Sequence, residues 1–206
     1  MSYKTIRSAA VGTITVEKSE FIAKIAPVKT SFEAMAFIDS VRQEHRKARH
    51  NCYAYTLREG FETRFSDDGE PSGTAGVPIL DVIQKNDLQD VAIVVTRYFG
   101  GILLGKGGLC RAYSSAASAA VSAASIMDMQ SARDCLICFE YSFYDRLLRI
   151  LPKYQIKTVS TDFSELVSMK LLIPEENCAP FADALREMSN AKIIPKFSEI
   201  YFADFA

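Results

Sequence analysis

No stretch of the 206 residues reaches the ~18 consecutive apolar residues that a bilayer-spanning helix needs. The opening Met-Ser-Tyr-Lys-Thr-Ile-Arg lacks the apolar core of a secretory signal. The five cysteines (Cys52, Cys110, Cys135, Cys138, Cys178) are odd in number and follow no disulfide framework, so free thiols and a cytoplasmic setting are expected. Neither charge sign prevails: 24 Lys and Arg against 25 Asp and Glu leave a formal net charge of -1. Gripping nucleic acid by overall charge is thereby disfavoured, and only a local basic patch could do it. H-E-x-x-H and G-x-S-x-G are both missing, and nothing marks a Ser-His-Asp triad. No internal repeat is visible. No catalytic residue, metal or cofactor is assigned from sequence.

What is there is ordinary globular material, 49% apolar and 24% charged, enough for one large domain or two small ones. The character of the chain changes around Asp128 to Arg133, and two domains are expected, residues 1–130 and 131–206. Their charges are even: 15 basic and 14 acidic side chains in the first, 9 and 11 in the second. The first domain reads as strands Val11 to Val16 and Phe21 to Val28, then a helix opened by a capping box at Thr30 and Glu33. That helix places Ala34, Phe37, Ile38 and Val41 on one face. Cys52 to Leu57 and Glu62 to Ser66 read as a hairpin, Val77 to Lys85 as a short helix. Val91 to Tyr98 is a continuous apolar run, the signature of a strand covered on both faces. Leu109 to Ile126 reads as a helix of small residues that can lie close to a sheet. The second domain reads as strand (Cys135 to Ser142), helix (Tyr144 to Lys153), strand (Ile156 to Thr161), strand (Leu166 to Ile173), helix (Glu175 to Ser189) and strand (Ile194 to Phe202). That βαββαβ order is the split βαβ of ferredoxin-like domains.

Four segments carry chemistry-bearing residues. Arg64 to Gly76 packs Asp67, Asp68 and Glu70 among Ser66, Ser72, Thr74 and three glycines. The carboxylates suit a divalent cation, the amides near Gly73 to Gly76 suit an anion, and a turn held by side-chain caps explains the same residues. Arg97 to Gly108 follows the buried strand and opens a helix, the right place for phosphate. Gly100 to Lys106 even satisfies the first seven positions of a Walker A loop, but Gly107 stands where a Mg²⁺-holding hydroxyl belongs. Lys106, Arg111 and the Gly100–Gly101 amides then remain as anion donors, or the glycines serve close packing. Arg97 ends a buried strand and needs a partner, for which the 67–70 acids are the candidates. His45 to Cys52 follows Arg42 with Arg46, Lys47, Arg49 and His50, either phosphate contacts or a solvated helix end. His50 and Cys52 are weak as a metal or nucleophile pair. Cys135 and Cys138 spell C-x-x-C, but on a strand they point to opposite faces, so they read as packing thiols.

The blocks Arg64-Phe65-Ser66-Asp67-Asp68-Gly69-Glu70-Pro71-Ser72-Gly73-Thr74-Ala75-Gly76-Val77-Pro78-Ile79 and Ile93-Val94-Val95-Thr96-Arg97-Tyr98-Phe99-Gly100-Gly101-Ile102-Leu103-Leu104-Gly105, with His50-x-Cys52-x-Ala54-Tyr55, resemble the IMPACT family. The likeness is strong over about residues 10–125. It implies an α+β fold: an N-terminal βαβ domain like one shared by a ribosomal protein and small-molecule kinases, then a domain similar to the last one of elongation factor G. It also implies translational control. Eukaryotic relatives restrain the amino-acid-starvation response by competing for the activator of an initiation-factor kinase, using an additional N-terminal domain. This chain starts directly at the shared domain, so that contact is not expected of it. The expectation is a non-enzymatic, cytoplasmic regulator that binds ribosome, RNA or a translation-associated protein, through Arg97, Lys106 and Arg111 beside the 66–76 loop. The alternative is a protein or enzyme for a small phosphorylated ligand or nucleotide. Its site would lie between loops 66–76 and 97–108, from Ser72, Gly73, Thr74, Arg97, Gly100, Gly101, Lys106, Gly107 and Arg111, with Asp67, Asp68 or Glu70 as metal ligand or general base and Arg64 and His50 accessory.

Overall fold

A computed structural model describes residues 2–205. The chain is α+β and forms two compact units, Tyr3–Asp128 and Met129 onward. The first contains β1 (Ser2–Ile6), β2 (Ala10–Val16), β3 (Ser19–Pro27), α1 (Ser31–Glu44), β4 (His50–Thr56), β5 (Thr63–Ser66), α2 (Gly76–Lys85), β6 (Val91–Tyr98) and α3 (Gly105–Ala123). Its sheet has the order β2-β3-β6-β4-β5, with every neighbouring pair antiparallel.

The central strand β6 explains its own composition. Val91, Ile93 and Val95 enter one core with α2 and α3, while Ala92 and Val94 enter another with Ala34, Ile38 and Val41 of α1. Both faces are covered, so no polar alternation is needed. α1 starts as its capping residues require: Glu33 N–H donates to Thr30 Oγ1 at 3.1 Å. The returning carboxylate accepts from Lys29 N–H at 2.7 Å, one residue earlier than the simple box. α3 lies on β2 through small side chains, and a Cβ on Gly12 would overlap the backbone of Ala119 and Ala120. This helix starts at Gly105, four residues before the expected Leu109, so Gly105 to Gly108 form its first turn instead of a loop. Glycine's poor helix propensity misplaces the start: Gly105, Lys106 and Gly107 are exposed, and the buried residues of the helix begin only at Leu109.

The second unit holds β7 (Ile126–Phe139, entered from the first), α4 (Tyr144–Ile150), β8 (Lys157–Phe163), β9 (Val167–Pro174), α5 (Cys178–Ser189), β10 (Lys196–Phe197) and β11 (Tyr201–Asp204). The strands run antiparallel in the order β8-β9-β7, with β10 and β11 both on β7. Cys135 and Cys138 fall on opposite faces, one buried and one exposed. Pro180 sits in the first turn of α5, where a missing N–H costs nothing. The expected single strand Ile194 to Phe202 is two short ones. Ser198 breaks it: its hydroxyl accepts from Asp134 N–H at 2.9 Å, and its carbonyl accepts from Arg133. β1 escaped the sequence reading because it is short and half polar, with only Thr5 and Ile6 buried.

Candidate functional site

Strand register brings the conspicuous segments of the first unit together. Arg97, near the end of β6, lies opposite Phe21 on β3 and opposite His50 on β4. Residues directly opposite on antiparallel strands share a face, so the three side chains are neighbours on the α2–α3 side. There Arg97 Nη1 meets Glu70 Oε1 at 2.7 Å, with side-chain exposures of only 8% and 4%. The buried Tyr113 hydroxyl, from α3, donates to the same oxygen at 2.9 Å. The Arg97 guanidinium also stands 5.5 Å from the ring centroids of Phe21 and Phe99. The two loops thus meet, and their charges cancel in a buried pair.

The other acids of the loop are equally engaged. Asp67 Oδ1 accepts from Ala75 and Gly76 N–H at 2.9 and 2.8 Å, and Oδ2 from Gly73 N–H at 2.8 Å. Its carboxylate therefore caps α2 from eight residues upstream of Ala75. Burial would raise its pKa, but the bonds from Gly73, Gly76 and Ala75 outweigh this and hold it below the usual value. Asp68 Oδ2 accepts from Asn51 N–H at 2.8 Å, and Oδ1 meets Arg42 Nη2 at 3.0 Å. Asp68 takes a left-handed φ of 43°, held by these bonds. His50 Nδ1–H donates to the Asp68 carbonyl at 2.9 Å, and the Cys52 thiol to the Asp67 carbonyl at 3.0 Å. Burial pushes the Cys52 thiol up to about 12, which removes it as a nucleophile at neutral pH. Thr74 Oγ1 donates to the Pro71 carbonyl at 2.6 Å.

Of the three readings of this loop, the capped turn is the one these bonds describe. Amides of the Gly73 to Gly76 stretch already donate to Asp67, so the anion cradle is filled from within. Among the described residues no three His, Cys, Asp or Glu side chains are grouped to hold a metal ion. Gly100 N–H donates to Ser19 Oγ, and a Cβ there would overlap the backbone of Lys18 and Ser19; this is a packing glycine. Gly101 is exposed with φ of 87°. Lys106 and Gly107 lie exposed in the first turn of α3, one turn from the exposed Arg111. Ser72 is exposed as well. Arg64 pairs with Glu62 at 2.9 Å on the edge strand β5 instead of joining Arg97.

What opens outward is a cavity of about 590 Å³ lined by Lys47, Ala48, Arg49, His50, Arg97, Tyr98, Phe99 and Leu103. None of these is acidic. Phe99 and Leu103 are exposed hydrophobics. Lys47 and Arg49 belong to the basic run whose phosphate reading competed with that of a helix end. α1 in fact stops at Glu44, so they lie beyond the helix in the turn leading to β4. Phe99 and Leu103 gave no sequence signal beyond lying in a glycine-rich segment.

Residues 17–121 match the Impact N-terminal domain, and residues 137–192 match a domain of unknown function, DUF1949. The chain is 36% identical over 206 residues to the IMPACT family member YvyE of Bacillus subtilis, covering 100% of this chain and 95% of that one. The chain belongs to the IMPACT family. A Haemophilus influenzae IMPACT family member is 34% identical, covering 96% and 98% of the two chains. Protein IMPACT-A of Xenopus tropicalis matches over 99 residues at 37%, which is 45% of this chain and 30% of that protein. A solved structure titled as a hypothetical protein superposes with a TM-score of 0.61 at 30% identity, covering 96% of this chain and 98% of the other. Membership thus covers both units, whereas the eukaryotic likeness covers less than half of the chain. Among the described residues no helix is long and apolar enough to cross a membrane.

Proposed function

We propose that this IMPACT family protein is a non-enzymatic, cytoplasmic regulator of translation that acts by binding the ribosome, RNA or a translation-associated protein. One observation carries the reading. Every carboxylate of the 67–70 loop is bonded inward, to backbone N–H groups, Arg42, Arg97 or Tyr113, so the loop builds the fold. The outward face beside it presents Lys47, Arg49 and Phe99, which suit a phosphate-bearing partner. A small-ligand site between loops 66–76 and 97–108 has less support, because the Glu70–Arg97–Tyr113 bonds occupy that junction. With a net charge of -1, affinity must come from this patch and fall with salt.

The test is co-sedimentation of the tagged chain with ribosomes from its own cells at low and high salt. The expected result is salt-sensitive migration with ribosomal particles, lost in a folded Lys47→Ala/Arg49→Ala variant. Migration at the top of the gradient at both salts overturns the reading.

A further inference from the structure

We infer that the cavity lined by Lys47, Arg49, His50, Phe99 and Leu103 is a nucleotide site. The phosphate lies at the Lys47–Arg49–His50 end and the base on Phe99, supplied either as a free nucleotide or as one unit of single-stranded RNA. The inference rests on the binding reading above and names the ligand chemistry of that face.

Five observations converge on it. The cavity, about 590 Å³, is of the size that encloses a small ligand. It is chemically mixed. Its lining joins two exposed cations, Lys47 and Arg49, with Phe99, 54% exposed, and Leu103, 87% exposed. An acidic lining residue would repel a phosphate, and there is none; the nearby Asp68 carboxylate is already paired with Arg42 and Asn51 N–H. His50 is pre-oriented. Because Nδ1–H donates to a carbonyl, Nε2 is the ring nitrogen left to meet an incoming group. Phe99 stands beside a held cation: the Arg97 guanidinium lies 5.5 Å from its ring centroid, and Glu70 holds Arg97 in turn. A half-exposed ring beside cations suits stacking of a base while its phosphate is neutralised.

One buried polar atom points to the same corner. Among the described residues Arg97 Nε is buried with no hydrogen-bond partner, and Arg97 lines the cavity. Buried polar groups are rarely left so.

The experiment is fluorescence anisotropy of a labelled short single-stranded RNA with the full chain, competed by unlabelled AMP and UMP and by an acidic peptide. Lys47→Ala/Arg49→Ala should weaken binding by about tenfold or more and flatten its salt dependence. Phe99→Ala should weaken it by about five- to tenfold, and Phe99→Tyr should restore it. All three positions are exposed or half-exposed, so the variants keep the fold, which circular dichroism checks. If AMP or UMP alone binds as tightly as the RNA and with the same variant losses, the nucleotide is a free one. If it competes only weakly, it belongs to a strand. Binding that the variants leave unchanged, equal displacement by the acidic peptide, or no binding of either nucleotide probe overturns the inference. Ribosome co-sedimentation run beside it separates the two claims. A wild-type chain that travels with ribosomes yet binds no nucleotide sinks the site and spares the regulator. The reverse result spares the site alone.

Discussion

The 67–76 loop and the face formed by Lys47 to His50 with Phe99 and Leu103 invert each other. The loop concentrates acids, hydroxyls and glycines, and turns them inward: three carboxylates hold a helix end, a neighbouring strand and a buried arginine. The basic face is compositionally plain and turns its side chains outward. Density of reactive residue types therefore does not measure what is left open to a ligand here. A carboxylate whose lone pairs are filled by backbone N–H groups has little left for a ligand, whereas a cation at a cavity rim does.

That contrast can be broken most decisively at Glu70. Glu70→Ala leaves the Arg97 guanidinium buried and unpaired, and a loss of about 3–5 kcal/mol is expected in urea denaturation. A variant of unchanged stability that no longer binds its partner would make the loop a binding element and reverse the comparison. Asp67→Asn should cost less, about 1–2 kcal/mol, by weakening the remote cap of α2. It carries a pH signature as well. The folded Asp67 carboxyl is held below its ordinary value, so its contribution is complete above the unfolded pKa and fades as pH falls through the lower folded one. The stability gap between wild type and Asp67→Asn should narrow on acidification below about pH 4; a gap that widens there contradicts the cap. Thiol chemistry sharpens the picture further. Cys52, buried and raised to about 12, should resist iodoacetamide at neutral pH while the exposed Cys138 is alkylated, as read by peptide mass spectrometry. The smallest effect belongs to the outward face, where Lys47→Ala/Arg49→Ala should change stability by about 0.5 kcal/mol or less. A large loss of stability in that variant would mean that these side chains support the fold.

Much of the framework was legible in one dimension. The Thr30–Glu33 cap, the buried stripe Ala34, Ile38 and Val41, and the apolar run of β6 all depend on residues within one element. The start of α3 at Gly105 runs against glycine's own preference, in an exposed turn ahead of the first buried residue, Leu109. Where neighbours in space are distant in sequence, legibility failed. The last strand is divided because Ser198 hydrogen-bonds Asp134 across to β7, a contact 64 residues away. The candidate site was half visible. The need of Arg97 for an acid of the 67–70 loop and the basic run are legible in the sequence, whereas the capture of the Gly73, Ala75 and Gly76 amides by Asp67 is not.

By itself the sequence determined most of the elements and their buried faces, the need of Arg97 for a counter-charge and the family to which the chain belongs. Those follow from periodicity, local capping and motif, all readable over short separations. Only the tertiary structure decided which acid serves Arg97, that the loop's chemistry faces inward, and that Lys47, Arg49, His50 and Phe99 share one cavity. The physical reason is register. Placing His50 and Phe21 on either side of Arg97 is a property of three paired strands far apart along the chain, and no local pattern encodes it.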